Sequence, residues 1–193
     1  MTGFLPQGFL AIALLTSSLA FTSPASSTAP QATNRDAQTL ADFQARVKTY
    51  LALRQKLLTG RPTLPDKATP DQIEAYQRTL GDLIIAARKG TRKGDLFGGD
   101  MTVLVRRLLG PIFKGPDGAA IRNAILEEPQ PLVPTINTRY PDDVPVSSMP
   151  PEILKALPKL EEILEFRFVG RHLILMDVPA HLIVDIVDNA MPS

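Results

Sequence analysis

The sequence predicts an α+β protein with a helical N-terminal half followed by a small antiparallel sheet. Two observations predict this class. Apolar residues recur at steps of three and four through residues 36–128, which is the periodicity of amphipathic helices. In residues 164–169, leucine and phenylalanine instead alternate with glutamate, arginine and valine, and a Gly-Arg pair follows, as in a β-hairpin. We expect about four helices, in a bundle or layer, and then the sheet.

The 193 residues are enough for one modest domain with a real hydrophobic core. The chain has no cysteine, which excludes disulfides, thiol catalysis and cysteine-bound metals. Its net charge is +1, but residues 35–124 carry 16 Lys/Arg against 9 Asp/Glu, and residues 125–193 carry 5 against 11. This asymmetry favours two halves that dock on each other over a basic surface for an anionic partner. No nucleic-acid partner is expected.

Residues 1–25 have the features of a secretory signal peptide. The apolar run FLAIALL occupies residues 9–15, and small residues fit positions −3 and −1 of cleavage after Ala20 or Ala25. The run is much shorter than the ~20 residues needed to span a bilayer. No Lys or Arg precedes it, which leaves open an uncleaved anchor or a start codon assigned too late. We expect an exported protein, periplasmic or extracellular, without a membrane span after cleavage, and residues 26–35 as a flexible lead.

The predicted helical half belongs to a single domain, residues 36–193. Its amphipathic segments are residues 36–58, a segment from residue 70 to near Gly90 or Gly94, residues 101–113 and residues 118–128. The second segment begins at a capping box formed by Thr69 and Gln72, with Pro70 at the first helical position. Asp100 is expected to cap the third segment.

Two stretches between these helices could carry function. RKGTRKG, residues 88–94, places four cations in six residues, as an anion-binding site would; they are Arg88, Lys89, Arg92 and Lys93. Cations at a helix C-terminus also complement the helix dipole, so the run has a structural explanation as well. GDLFGGD, residues 94–100, resembles a calcium loop in composition, but its spacing does not match an EF-hand. We interpret it as a helix–helix connection with tight turns.

Residues 129–151 contain seven prolines, so no helix runs through them. Residues 132–137 could pair as an edge strand, and residues 151–157 could form a short helix. The polar side chains of this segment fit a binding loop and an exposed loop equally well; they are Asn137, Arg139, Tyr140, Asp142 and Asp143.

Residues 164–177 are predicted to form a hairpin with a defined register. Gly170 and Arg171 make a two-residue loop with glycine first, as a type II′ turn requires. That loop pairs Val169 with His172 and fixes the pairs beyond them. One face then carries apolar residues that can pack on the helices: Phe166, Phe168, Leu173 and Leu175. The other face carries Glu165, Arg167, His172, Ile174 and Met176.

Residues 181–187, HLIVDIV, predict a third strand, with a helix capped by Asp177 as the alternative. Either conformation places His181 beside Asp185. Together with Asp177 they are the candidate catalytic residues of a metal-dependent or acid/base hydrolase. The sequence has no HExxH and no GxSxG motif, so we assign no catalytic or metal-binding residue and expect no cofactor.

Several stretches resemble a group of uncharacterised exported bacterial proteins. They are GDLF at 94–97, RRLLGPIFKGPDGAAIRNAI at 106–125, RYPDDVP at 139–145 and LEFRFVGRHLILMDVPAHLIVDIV at 164–187. The resemblance covers the chain from about residue 70 to its end and is strongest over residues 139–190. It implies a hairpin that is integral to the fold, and it carries no activity, cofactor or catalytic residue.

Three functions follow from these features. The first is a non-enzymatic binding or accessory module of the cell envelope or extracellular space, whose sheet edge could accept a strand from a protein partner. The second is the hydrolase that uses His181, Asp185 and Asp177. The third is an anion-binding protein that uses residues 88–93.

Overall fold

The computed structural model describes residues 1, 3, 28–127, 133–142, 144 and 149–192, so nearly all of the predicted signal peptide lies outside the described residues. The predicted α+β class is confirmed. The helices are α1 (Thr28–Leu58), α2 (Pro70–Ala87), α3 (Gly98–Lys114), α4 (Gly118–Leu126) and α5 (Pro151–Ala156). The strands are β1 (Thr138–Arg139), β2 (Leu164–Val169), β3 (His172–Asp177) and β4 (Leu182–Val187). Among the described residues, no helix combines the length and apolar character that crossing a membrane requires.

The helix starts differ from the expected ones at two places. Helix α1 begins at Thr28, so residues 28–35, expected to be part of a flexible lead, are helical. Helix α3 begins at Gly98, with Phe97 at the N-cap, so the expected cap by Asp100 is wrong. The capping box of α2 is confirmed: the Gln72 N–H donates to Thr69 Oγ1 at 3.3 Å, and the Thr69 N–H donates to Gln72 Oε1 at 2.9 Å.

The four strands form one antiparallel sheet in the order β1-β4-β3-β2. The β2–β3 register has Val169 opposite His172 and Phe168 opposite Leu173, as predicted. Gly170 has a φ of 55°, which suits the first position of a type II′ turn. Residues 182–187 are a strand rather than a helix, and the pairing of β4 with β3 contains a register shift typical of a β-bulge.

The N-terminal edge strand is shorter and later than the sequence predicts. Strand β1 contains only Thr138 and Arg139, which pair with Ile183 and Leu182 of β4. In its described part, residues 133–137, the expected strand is not formed, but the Asn137 N–H extends the ladder by donating to the Ile183 carbonyl at 2.8 Å.

Both faces of the sheet are covered. On the helix side, Phe43 of α1, Phe97 and Phe166 of β2 stack with centroid separations of 5.6–6.4 Å. On the opposite side a second apolar cluster joins the sheet to the segment before α5; it contains Tyr140, Val144, Val169, Ile174, Met176, Ile183 and Ile186. The alternation in the hairpin predicted the first of these faces. The second buries β3 and β4 on both sides.

Candidate functional site

Asp177, one of the three candidate catalytic residues, is fully buried at the end of β3. Its Oδ2 accepts hydrogen bonds from the Tyr50 hydroxyl at 2.7 Å and from Arg54 Nε at 2.9 Å. Its Oδ1 accepts from the Ala180 N–H at 3.0 Å. Since Tyr50 and Arg54 both lie on α1, this carboxylate fastens the longest helix to the sheet.

Asp185, the second candidate, is also fully buried, and backbone amides surround it. Its Oδ1 accepts from the Gly94 N–H at 2.7 Å, and its Oδ2 accepts from the Leu96 and Phe97 N–H groups, both at 2.8 Å. The Ile186 N–H adds a fourth bond, at 2.8 Å. The glycine-rich loop before α3 therefore forms an anion-binding concavity, and the anion in it is this side chain.

His181, the third candidate, lies in the turn between β3 and β4 with a left-handed φ of 48°. Its Nδ1 is 2.8 Å from Asp142 Oδ1, whereas the Asp185 carboxylate binds the loop before α3. The predicted His181–Asp185 pair is therefore not formed. The left-handed residue and the β-bulge interrupt the regular strand alternation on which that pairing depended.

The structure does not assemble the site that the hydrolase hypothesis requires. Across the part of the chain that is described, no three His, Asp or Glu side chains are grouped so as to hold a metal ion. The other histidine, His172, has its Nδ1 3.0 Å from Asp188 Oδ1, so the two histidines bind different aspartates.

The four cations predicted as an anion-binding run are divided by the fold. Arg88 is buried: its Nε donates to Asn137 Oδ1 and its Nη2 to the Val184 carbonyl, both at 2.9 Å. Lys93 Nζ donates to Asp188 Oδ2 at 2.7 Å. Within the described residues, the side chains of Lys89 and Arg92 make no hydrogen bond or ion pair. Two of the four cations, Arg88 and Lys93, therefore bind other groups of the protein. Sequence spacing alone could not show these intramolecular partners.

Asp188 lies between Lys93 and His172. Partial burial acts to raise the pKa of Asp188, but hydrogen bonds and charge from Lys93 and His172 outweigh it and lower that pKa below its usual value of 3.8. A lowered pKa stabilises the fold above pH 3.8, and the benefit is lost as pH falls through the folded-state pKa. Because the pair is exposed, Asp188→Asn is expected to cost less than ~1 kcal/mol at pH 7. Urea unfolding should show a larger difference from wild type at pH 7 than at pH 3.

Tyr50 is expected to make stability fall at alkaline pH. Burial, followed by the charge and hydrogen bond of Asp177, raises the pKa of Tyr50 well above its usual value of 10.0. Above pH 10 the unfolded chain releases this proton and the folded chain keeps it, so stability falls by up to ~1.4 kcal/mol per pH unit. Tyr50→Phe should remove that component in urea unfolding between pH 9 and 11.5. An unchanged slope in the variant would contradict the assignment.

A groove of about 740 Å³ lies beside β2, which is the outermost strand on that side of the sheet among the residues that the structure describes. Its apolar lining consists of Met149, Leu154, Pro158, Leu160, Leu164 and Phe166. Its charged lining consists of Lys159, Glu161, Glu162, Glu165 and Arg167. Leu154 of α5 is 52% exposed there, so it adds apolar surface that is open to solvent in the groove. We call this feature the β2 groove.

Part of the β2 backbone faces away from the sheet. In a hairpin closed by the Val169–His172 pair, Glu165 and Arg167 exchange hydrogen bonds with β3, while Leu164 and Phe166 direct their N–H and C=O groups outward. The Leu164 N–H agrees with this alternation, because it donates to the Glu161 carbonyl at 2.8 Å instead of to β3. Phe166 therefore presents a donor and an acceptor on the outer side of the strand.

Comparison with protein-family models, curated proteins and solved structures finds no match to this chain. The resemblance to exported bacterial proteins stays a prediction. A proposal for the function therefore depends on the structure itself, namely on the groove beside β2 and on the partners of the two buried aspartates.

Proposed function

We propose that this protein is an exported, non-enzymatic binding module that holds an extended segment of a partner protein in the β2 groove. The observation that carries the proposal is the apolar groove beside an outward-facing stretch of strand, Leu164–Phe166. A peptide that adds to such an edge gains main-chain hydrogen bonds, and its alternate side chains enter the adjoining groove. The partner would lie in the cell envelope or the extracellular space.

The lining of the β2 groove supports binding over catalysis. Among the described residues, those that line it include no histidine, serine, threonine or cysteine, and so no imidazole base and no hydroxyl or thiol nucleophile. The three candidate catalytic residues have other partners. Asp177 binds Tyr50 and Arg54, Asp185 binds the loop before α3, and His181 binds Asp142.

Export with cleavage of the signal peptide predicts a shortened mature protein. Intact-mass measurement of the protein recovered from outside the cytoplasm should find an N-terminus at Phe21 or Ser26, because small residues occupy −3 and −1 before each. Full-length protein that starts at Met1 and stays in the cytoplasm would contradict export.

Photo-crosslinking tests the groove directly. We would place p-benzoylphenylalanine at Leu154 in the groove and, as a matched control, at Val103, which is 62% exposed on α3. Both are exposed apolar helix positions, so neither replacement removes core packing. The expected result is an adduct from position 154 that maps to one extended segment of one exported protein, with none from position 103.

A synthetic peptide of the mapped segment then provides the confirmation. It should bind the purified protein, and Leu154→Gln should weaken binding at least tenfold, because the variant loses apolar contact in the groove. Val103→Gln should leave binding unchanged. Equal adducts from both positions, or none from position 154, would remove the β2 groove as the binding site.

A further inference from the structure

We infer that the β2 groove selects a segment in which alternating apolar residues are followed by lysine or arginine. This inference rests on the proposed function and adds the chemistry of the ligand. It follows from two features of the lining: a set of apolar side chains, and two glutamates, Glu161 and Glu162, whose carboxylates have no cation partner among the described residues.

The apolar wall determines the first half of the ligand. Met149, Leu154 and Leu160 line the groove together with Leu164 and Phe166 of the strand. In an extended ligand every second side chain points the same way, at a spacing of ~6.8 Å. Valine, isoleucine or leucine at alternate positions would therefore cover the exposed surface of Leu154, and polar residues at the positions between would face the other side of the sheet.

The charges determine the second half. Glu165 and Arg167 form an ion pair with each other, so they leave little net charge in the groove. Glu161 and Glu162 are exposed, and their carboxylates make no hydrogen bond or ion pair within the described residues. Lys159 is the remaining charged residue of the lining. A basic side chain is the ligand group that would best compensate the two glutamates.

The position of these glutamates gives the order along the ligand. Glu161 and Glu162 precede Leu164, so they lie at the N-terminal end of β2. A ligand strand antiparallel to β2 has its C-terminal end there. The basic residues should thus follow the apolar ones in the ligand sequence.

The test uses three fluorescein-labelled peptides with the same alternating valine-threonine body. One ends in two lysines, one in two glutamines and one in two glutamates, and binding to the full mature chain is measured by fluorescence anisotropy. Exposed ion pairs are worth a few tenths to 1 kcal/mol each, so the lysine peptide should bind about tenfold more tightly than the glutamate peptide. The advantage should shrink between 50 and 500 mM salt.

Variants separate the inference from the proposed function. The double variant Glu161→Gln/Glu162→Gln should abolish most of the preference for lysine, and Leu154→Gln should weaken all three peptides alike. Val103→Gln should change none of them. If the three peptides bind equally and Leu154→Gln weakens them, the charge preference is wrong and the binding function stands.

Two other outcomes would contradict more than the charge preference. If no peptide binds at up to millimolar concentration, the proposed function fails together with the inference. If sedimentation velocity shows a dimer and Leu154→Gln converts it to a monomer, the occupant of the groove is a second copy of this chain, and the basic-ligand inference is wrong.

Discussion

Asp185→Asn is expected to lower the free energy of unfolding by about 3 kcal/mol or more. The carboxylate accepts four backbone N–H groups, two on each oxygen. An asparagine can accept on one oxygen only, so its amide group would face two N–H donors that have lost their acceptor. Each buried donor left unsatisfied costs about 1–3 kcal/mol. Urea unfolding at pH 7, read as a shift in midpoint with unchanged slope, measures the cost.

Asp188→Asn is the matched control for this substitution. The change in chemistry is identical, the site is three residues away, and Asp188 is half-exposed and bound by side chains. If Asp185→Asn lowers the free energy of unfolding no more than Asp188→Asn does, the four backbone amide hydrogen bonds to Asp185 do not stabilise the fold as expected.

Arg54→Met is expected to cost about 3–5 kcal/mol. Arg54 is buried, and the substitution leaves the Asp177 charge in the interior without its cation. Removing one partner of a buried pair costs this much because the other charge stays desolvated. Methionine keeps most of the length of the side chain, so the loss should come from charge rather than from a cavity. Thermal and urea unfolding at pH 7 measure the effect.

The double variant Arg54→Met/Asp177→Asn identifies the cause. Asparagine removes the buried charge but can still accept from the Tyr50 hydroxyl, so the double variant should regain at least ~2 kcal/mol relative to Arg54→Met alone. If the double variant loses as much free energy of unfolding as Arg54→Met and Asp177→Asn lose separately when summed, the buried ion pair is not what joins α1 to the sheet.

The hairpin shows how much of the fold the sequence could predict. Its register depends on local chemistry: a two-residue loop with glycine first, flanked by alternating side chains. The same holds for the capping box at Thr69, which needs only residues three apart. Where neighbours in the sequence decide the structure, prediction and structure agree.

The roles of the candidate site residues could not be predicted in this way, because their partners are remote in sequence. Asp177 binds α1 residues more than a hundred positions away, and Asp185 binds a loop about ninety positions away. The composition of GDLFGGD suggests a calcium loop, its spacing does not, and we interpret it as a helix–helix connection. Neither composition nor spacing could indicate that the group inside would be a side chain of the same protein.

The β2 groove depends both on local sequence and on contacts between residues that are remote in sequence. The hairpin pattern predicted β2, but its position at the edge depends on β4 pairing with β3 and β1 pairing with β4. For the segment that contains Leu154, the sequence predicts only a short helix over residues 151–157. The 52% exposure of Leu154 results from where α5 packs, which single-sequence periodicity does not encode.

Residue-specific amide hydrogen exchange on the isolated protein, followed by NMR, tests the central claim that the outer side of β2 is open for a ligand strand. If the outer side is open, the Phe166 amide should exchange much faster than the Glu165 and Arg167 amides on either side, which bond to β3. The lysine-ended peptide should also slow exchange at Phe166. A Phe166 amide as protected as its two neighbours in the isolated protein would mean that the edge is already covered, and would contradict the proposed binding function.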